Sequence, residues 1–385
     1  MASKGWAAQV GRWIVAGIAS VALTGCSGFF PPLDSSSGGS GGSGGGTGNY
    51  VLALSPDLGT LSVYTIGTSK LSIGSGSPLT LPSNLVSANS GAIAVTRNNS
   101  FVYVGGLNAI YCYSIGTSGA LSLVNAGSQT IAANVVSMDA SPDGQWLFAL
   151  DNLSQTVFEF SLNSSTGALA LVNQVPYNIK SGATLVPKSI RATSTLVAAA
   201  LGTAGDALFA LTTSNGNLTY SGGISLNSAT ESDNDVAISS DSSFLYVSRS
   251  GTADGIAAYT VNSSGVPSTF GSGALTASGT TPNAMLLDST GAYLYAANRG
   301  SSDISEYTVS AGTLKALSTP TVSAGMIVTS MARDSTGKYV LVGGVSSTTD
   351  VGMYSFDSTV PGQLDLATSV STGKETVGVQ VATTH

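Results

Sequence analysis

The stretch PNAMLLDSTGAYLYAANRGSSDISEYTVSAGTLKAL, residues 282–317, decides the fold. Met285-Leu286-Leu287 is a short apolar run that stops at Asp288-Ser289-Thr290-Gly291, which has turn chemistry. Tyr293-Leu294-Tyr295-Ala296 follows, then the polar loop from Asn298 to Asp303. Residues 304–309 alternate, and Gly312 turns the chain into Thr313-Leu314-Lys315-Ala316-Leu317. Four short strands with a turn at each reversal make an antiparallel meander.

The pattern recurs. Copies begin near Gly91, Val135, Pro187, Asn234, Pro282 and Val328, at spacings of 44, 52, 47, 48 and 46 residues. A period in the mid-forties with four strands is the signature of a propeller blade. One such sheet cannot bury both faces, whereas a ring of sheets packs each face on a neighbour, so strands apolar at successive positions fit this architecture. Residues 50–73 supply three more strands without an innermost one, and residues 376–381 read as one strand with nothing after it to pair. Together they complete a seventh blade. The expectation is an all-β, seven-bladed β-propeller over residues 50–385, closed by pairing the C-terminal strand with the N-terminal strands.

Ahead of it lies a targeting segment. Lys4 and Arg12 precede an 11-residue apolar run at 13–23, too short for a membrane span of about 20 residues. Leu23-Thr24-Gly25-Cys26 resembles a bacterial lipobox, which makes 1–25 a signal peptide and Cys26 the lipidated residue. The Gly/Ser-rich tether within 26–49 is a flexible coil of about 20–25 Å r.m.s. span. The expected location is the cell envelope, outside the cytoplasm, at the outer membrane or in the periplasm.

Removing residues 1–25 leaves 11 basic residues against 20 acidic ones, a net charge of −9. Such a surface argues against nucleic acid as a partner. Cys112 is then the one cysteine besides Cys26, in a strand pattern that makes it a buried structural thiol. No sequence rule marks a metal loop, and no cofactor is implied.

The repeats resemble the seven-bladed propellers of the 6-phosphogluconolactonase-like lactonases and Tyr-Val-Thr-Asn repeat proteins. Ser141-Pro142-Asp143-Gly144, Asp288-Ser289-Thr290-Gly291 and Asp334-Ser335-Thr336-Gly337 carry the likeness, with Tyr295-Ala296-Ala297-Asn298-Arg299-Gly300 and the Gly-x-Leu turn of Gly167-Ala168-Leu169. The resemblance implies lactone hydrolysis by His, Glu and Arg near a central channel. Here the one histidine is His385, the last residue, expected to be disordered. The leading functional expectation is therefore a lipid-anchored binding module for a protein, glycan or small molecule. Its alternative is a divergent sugar lactonase. For the alternative, Glu231 and Asp233 are the candidate catalytic carboxylates. Arg249 and Arg299, read as equivalent positions of adjacent blades, are candidate ligand-binding residues or loop-tying ion pairs, and Arg191 and Arg333 are candidates in the channel. Glu231, Asp233, Arg249 and Arg299 are expected in one concavity on one rim. Tyr177 is nearly alone as a loop aromatic that could stack on a glycan.

Overall fold

The computed structural model describes residues 48–86, 92–177, 184–212, 214–226, 228–373 and 375–385. The signal segment, Cys26, nearly all of the tether and Lys180 lie outside them. Successive strands form antiparallel sheets that follow the repeat. The blade read first is complete: Pro282–Leu287, Tyr293–Asn298, Asp303–Ser310 and Thr313–Ser323, hydrogen-bonded in that order. Equivalent sets of four start at Ser189–Ala192, Ser232–Ile238 and Ile327–Arg333.

Two neighbouring blades depart from the simple scheme. Phe101–Ile115 is one long strand whose two halves fold back on each other around Asn108, which sits at φ 59°. The Ile115 N–H donates to the Ser100 carbonyl at 2.8 Å and sets that hairpin. Gln129–Ala140 then serves two blades. Its first half pairs with Leu107–Ile110, and its second half pairs with Trp146–Asp151 as the innermost strand of the next blade.

The ends of the chain meet. The last strand is Gln380–Thr383, a few residues beyond the expected 376–381, and it pairs antiparallel with Tyr50–Ser55 from Leu54↔Gln380 to Val51↔Thr383. Asp57 and Glu375 reinforce the junction. The Thr376 N–H donates to Asp57 Oδ2 at 2.9 Å, and Glu375 accepts the Asp57 N–H at 3.2 Å.

The core lies between blades rather than inside any one of them. Along Trp146–Asp151, the residues Trp146, Phe148 and Leu150 pack with Val197, Ala199 and Phe209 of the following blade. Leu147 and Ala149 pack with Tyr103 and Phe160 on the other side. Alternation therefore produces two apolar faces, as a ring requires. Among the described residues, seven such clusters link consecutive blades all the way round. One of them joins Leu341 and Met353 to Val51, Val379 and Val381, and another joins Leu52 and Val63 to Val102 and Val104.

Glycines in the outer hairpins are fixed by the same seams. Gly216, at φ 67°, lies against the Trp146 ring of the preceding blade, and Gly362, at φ 86°, lies against the Tyr293 ring one blade earlier. A Cβ at either position would overlap the ring. Tyr246 and Tyr295 are buried as packing residues. Tyr177 is buried as well, and its hydroxyl donates to the Asp151 carbonyl at 2.7 Å. A glycan platform at Tyr177 is excluded because that ring is core.

Candidate functional site

Innermost strands line the central channel, and their side chains stitch one blade to the next. The Ile190 N–H donates to Ser137 Oγ at 3.2 Å and the Ala192 N–H to Asp139 Oδ2 at 2.9 Å. The Met285 N–H donates to Asp235 Oδ2 at 2.8 Å, and the Val381 N–H to Ser330 Oγ at 2.9 Å. Carboxylates that could look like channel chemistry from sequence are thus occupied by backbone N–H groups of the neighbouring blade.

At the upper mouth, where the innermost strands begin, is a cavity of about 600 Å³. Lys188, Arg191 and Arg299 all line it, with Asp235 as its one carboxylate. Arg191 is paired to Asp235 at 3.2 Å. Lys188 and Arg299 have no ion-pair partner among the described residues. Burial, and then the Arg299 charge nearby, hold the Lys188 pKa below the usual lysine range. Ser189, whose buried Oγ has no hydrogen-bond partner, lines the same cavity, as does the exposed Asn152. The result is a polar pocket with two uncompensated cations, suited to an anionic, hydroxyl-bearing molecule.

The expected concavity of Glu231, Asp233, Arg249 and Arg299 is not formed. Arg299 lines the cavity, and the other three do not. Arg249 is buried and grips Asp233 in bidentate fashion, with a third contact from Nη2 to the Tyr259 hydroxyl at 3.3 Å. Aligning Tyr246 on Tyr295 shows the reason: Arg249 corresponds to Asn298, and Arg299 falls one residue later. In a strand one residue reverses the side-chain direction, so the first arginine enters the seam and the second reaches the channel. Glu231 has an Oε2 that is buried without a partner, but it lies away from the cavity lining.

Other rim acids are structural. Asp151 accepts the Asn134 N–H at 2.6 Å, and Asp350 accepts the Thr372 N–H at 2.7 Å. Among the described residues there is no group of three potential metal ligands. Cys112 is a free, fully buried thiol whose pKa burial pushes up to about 12, an inert state.

At the lower mouth the innermost strands end. Arg97, Arg333, Asp139 and Asp288 line a second cavity of about 520 Å³, and Arg191 reaches it as well. His385 is placed here rather than disordered. Its N–H donates to Asn99 Oδ1 at 2.7 Å, its carbonyl accepts from Asn99 Nδ2 at 2.8 Å, and its Nδ1 lies 3.1 Å from Arg97. Desolvation, then the Arg97 and Arg333 charges, push the imidazole pKa down to about 4. The histidine is positioned, but on the opposite side of the channel from the Lys188–Arg299 pocket.

Lys188 was not singled out from sequence. Its signal was present: it stands immediately before the innermost strand Ser189–Ala192, at the end of the strand where Asn234 and Asn283 also stand.

Comparison with known proteins agrees with this geometry. The family model described as lactonase, 7-bladed beta-propeller matches residues 53–184, 207–330 and 272–381. A Bacteroides fragilis protein provisionally assigned as a 6-phosphogluconolactonase superposes with a TM-score of 0.68 at 16% identity, covering 88% of this chain and 99% of that one. The periplasmic gluconolactonase PpgL of Pseudomonas aeruginosa gives 0.67 at 16% identity, with the same coverage of 88% and 99%. A functionally unknown protein of Desulfotomaculum acetoxidans gives 0.65 at 13%, covering 88% and 99%. No curated protein sequence matches the chain. These structural likenesses carry the fold, and the sequence match, spanning most of the described residues, carries the kinship: the chain belongs to the seven-bladed β-propeller lactonase family.

Proposed function

We propose that the protein hydrolyses the lactone of an acidic sugar, one bearing a phosphate or carboxylate, in the upper mouth. The observation that carries this reading is the convergence of Lys188 and Arg299, neither with a carboxylate partner, on one polar cavity within a lactonase-family propeller. Arg299 and Arg191 hold the anionic group and the oxyanion that forms at the carbonyl. Lys188, whose pKa is lowered, supplies a neutral amine fraction to accept a proton. Water oxygen adds to the lactone carbonyl carbon while its proton passes to that amine. Collapse of the tetrahedral oxyanion breaks the ring C–O bond, and the departing alkoxide takes the proton back, leaving the hydroxy acid.

The test is a pH-stat assay of the full chain, with spontaneous hydrolysis subtracted, on 6-phosphogluconolactone and on unsubstituted gluconolactone. Turnover that favours the phosphorylated lactone and falls at least tenfold in Arg299→Ala supports the proposal. Hydrolysis of neither lactone above background refutes it and leaves the binding-module reading.

The same proposal places the propeller at the cell envelope through a lipid on Cys26. The Leu23-Thr24-Gly25-Cys26 motif and the tether support this. Metabolic labelling with a radioactive fatty acid tests it: label retained in Cys26→Ser overturns the anchor.

A further inference from the structure

The lower mouth is not used by the chemistry above, yet it concentrates the chain's arginines. Six arginines occur in the whole sequence, and four of them, Arg97, Arg191, Arg299 and Arg333, line the two cavities of the channel. In a protein of net charge −7 this clustering is unlike the surface as a whole. Three of the four reach the lower cavity.

Arg191 is paired to Asp235, and whether the charges of Arg97 and Arg333 are neutralised turns on Asp139 and Asp288 beside them. Asp139 spends Oδ1 on the Ala140 N–H and Oδ2 on the Ala192 N–H, both at 2.9 Å. Asp288 closes its own turn, accepting from the Tyr293 N–H at 2.9 Å and from the Thr290 N–H and hydroxyl at 3.1 and 2.6 Å. Neither forms an ion pair with an arginine. Among the described residues Arg97 and Arg333 have no ion-pair partner at all, and Arg333 has a single long hydrogen bond, from Nη1 to the Leu287 carbonyl at 3.4 Å. Desolvation lowers the Arg333 pKa and the Arg97 charge adds to that, while Asp288 and Asp334 act the other way. Two like charges are therefore held side by side, Arg97 bonded to His385 and Arg333 to Leu287 with their remaining donors open, an arrangement that an anion would relieve.

We propose that the lower mouth is a second anion site, separate from the upper pocket, that takes a phosphate group between Arg97 and Arg333 with Arg191 at its base. Three guanidinium forks present more N–H donors than a planar carboxylate can accept, whereas a tetrahedral dianion has oxygens for all three. His385 holds Arg97 in place without adding charge, its Nδ1 lying 3.1 Å from Arg97 Nη1 and its Nε2 lying 3.2 Å from the Val95 carbonyl. Thr193, Ser194 and Ser289 line the same cavity. Arg191 lines both cavities, so an anion in one mouth competes for the same guanidinium as an anion in the other.

Calorimetric titration of the full chain with inorganic phosphate tests the site, and it is independent of lactone turnover. Arg299→Gln removes the upper pocket's cation, and Arg97→Gln, at an exposed position, removes one of the lower mouth's. Binding that survives Arg299→Gln and weakens at least tenfold in both Arg97→Gln and Arg333→Lys, with melting temperatures unchanged, is the expected result. If Arg333→Lys perturbs folding, Arg97→Gln alone decides. No measurable phosphate binding, binding lost in Arg299→Gln, or binding indifferent to Arg97→Gln would each overturn the proposal.

Discussion

Arg249 Nε lies 2.7 Å from Asp233 Oδ1 while its Nη2 lies 2.9 Å from Oδ2, a two-pronged ion pair sealed in the seam between two blades. Asp206, also buried, sits close enough that Asp233 helps to raise its pKa, after desolvation, well above the usual carboxylate range. Among the described residues, Arg249 is the one cation facing the two acids there. Arg249→Ala leaves Asp233 buried and unpaired, and removing one partner of a buried pair costs roughly 3–5 kcal/mol. A large fall in the urea midpoint is expected, whereas Arg299→Ala, on the exposed rim, shifts stability by no more than about 0.5 kcal/mol. Equal effects of the two substitutions would contradict the division between seam and channel.

The reverse ordering is expected for function. Lys188→Met and Arg299→Ala each remove one uncompensated cation from the upper pocket. Each should lower kcat/KM for a phosphorylated lactone by roughly 10–100-fold, about 1.4–2.8 kcal/mol of lost transition-state binding. The two should differ in kind. On the proposed mechanism, loss of Arg299 raises KM, because that guanidinium would hold the anion. On the same mechanism, loss of Lys188 should fall mainly on kcat and remove a rise of kcat with pH that deprotonation of the amine would produce. Steady-state profiles from pH 6 to 9 separate the two effects.

The architecture was legible because turn residues and strand lengths are local properties. The repeat from Gly91 to Val328 marks six sheets, and the strands of residues 50–73 with the lone C-terminal strand mark the seventh. The site was less legible because its assignment depends on side-chain direction. Arg249 and Arg299 look interchangeable in sequence, and a one-residue offset sends one into the core and the other to the channel. The carboxylates of Asp151, Asp235 and Asp350 each accept a backbone N–H, from Asn134, Met285 and Thr372. Those N–H groups lie 17 to 50 residues away in the chain, and local sequence does not carry the pairing. His385 was misread for a similar reason, since its partners Val95, Arg97 and Asn99 are nearly the whole chain away.

Glu159 and Glu306 occupy third strands and are fully buried, and Glu306 Oε1 accepts the Leu364 N–H of the next blade at 2.8 Å. Desolvation raises both carboxyl pKa values to about 7 in the folded protein. Their unfolded values lie near 4.5. Between those limits the folded state binds more protons, so their contribution is fully present below about pH 4.5 and is lost as pH rises through about 7. At about 1.4 kcal/mol per pH unit, each is expected to contribute up to about 3 kcal/mol to that loss. Chemical denaturation at pH 5, 6, 7 and 8 should show a decline that flattens in the Glu159→Gln/Glu306→Gln double variant. An unchanged slope in that variant would assign the dependence to other groups.

Ring closure makes the most severe prediction. Val379 and Val381 are buried against Val51 and Leu341, and Gln380–Thr383 supplies the innermost strand paired with Tyr50–Ser55. Deleting residues 379–385 removes two buried valines at roughly 1.5–3 kcal/mol each and bares a strand edge with its backbone groups unpaired. Since domains are stable by only about 5–15 kcal/mol, the truncated chain should lose most of its stability. The loss should also be non-local: Asp57 and Glu375 lose the junction they clasp, and the Val51 and Leu341 seam opens to water. Adding a synthetic peptide of residues 376–385 should restore part of the melting temperature, because the missing strand binds an edge that is otherwise intact. A truncated protein that melts cooperatively within a few degrees of the full chain would show that the seventh blade holds without its last strand, and that the ring does not depend on its closure.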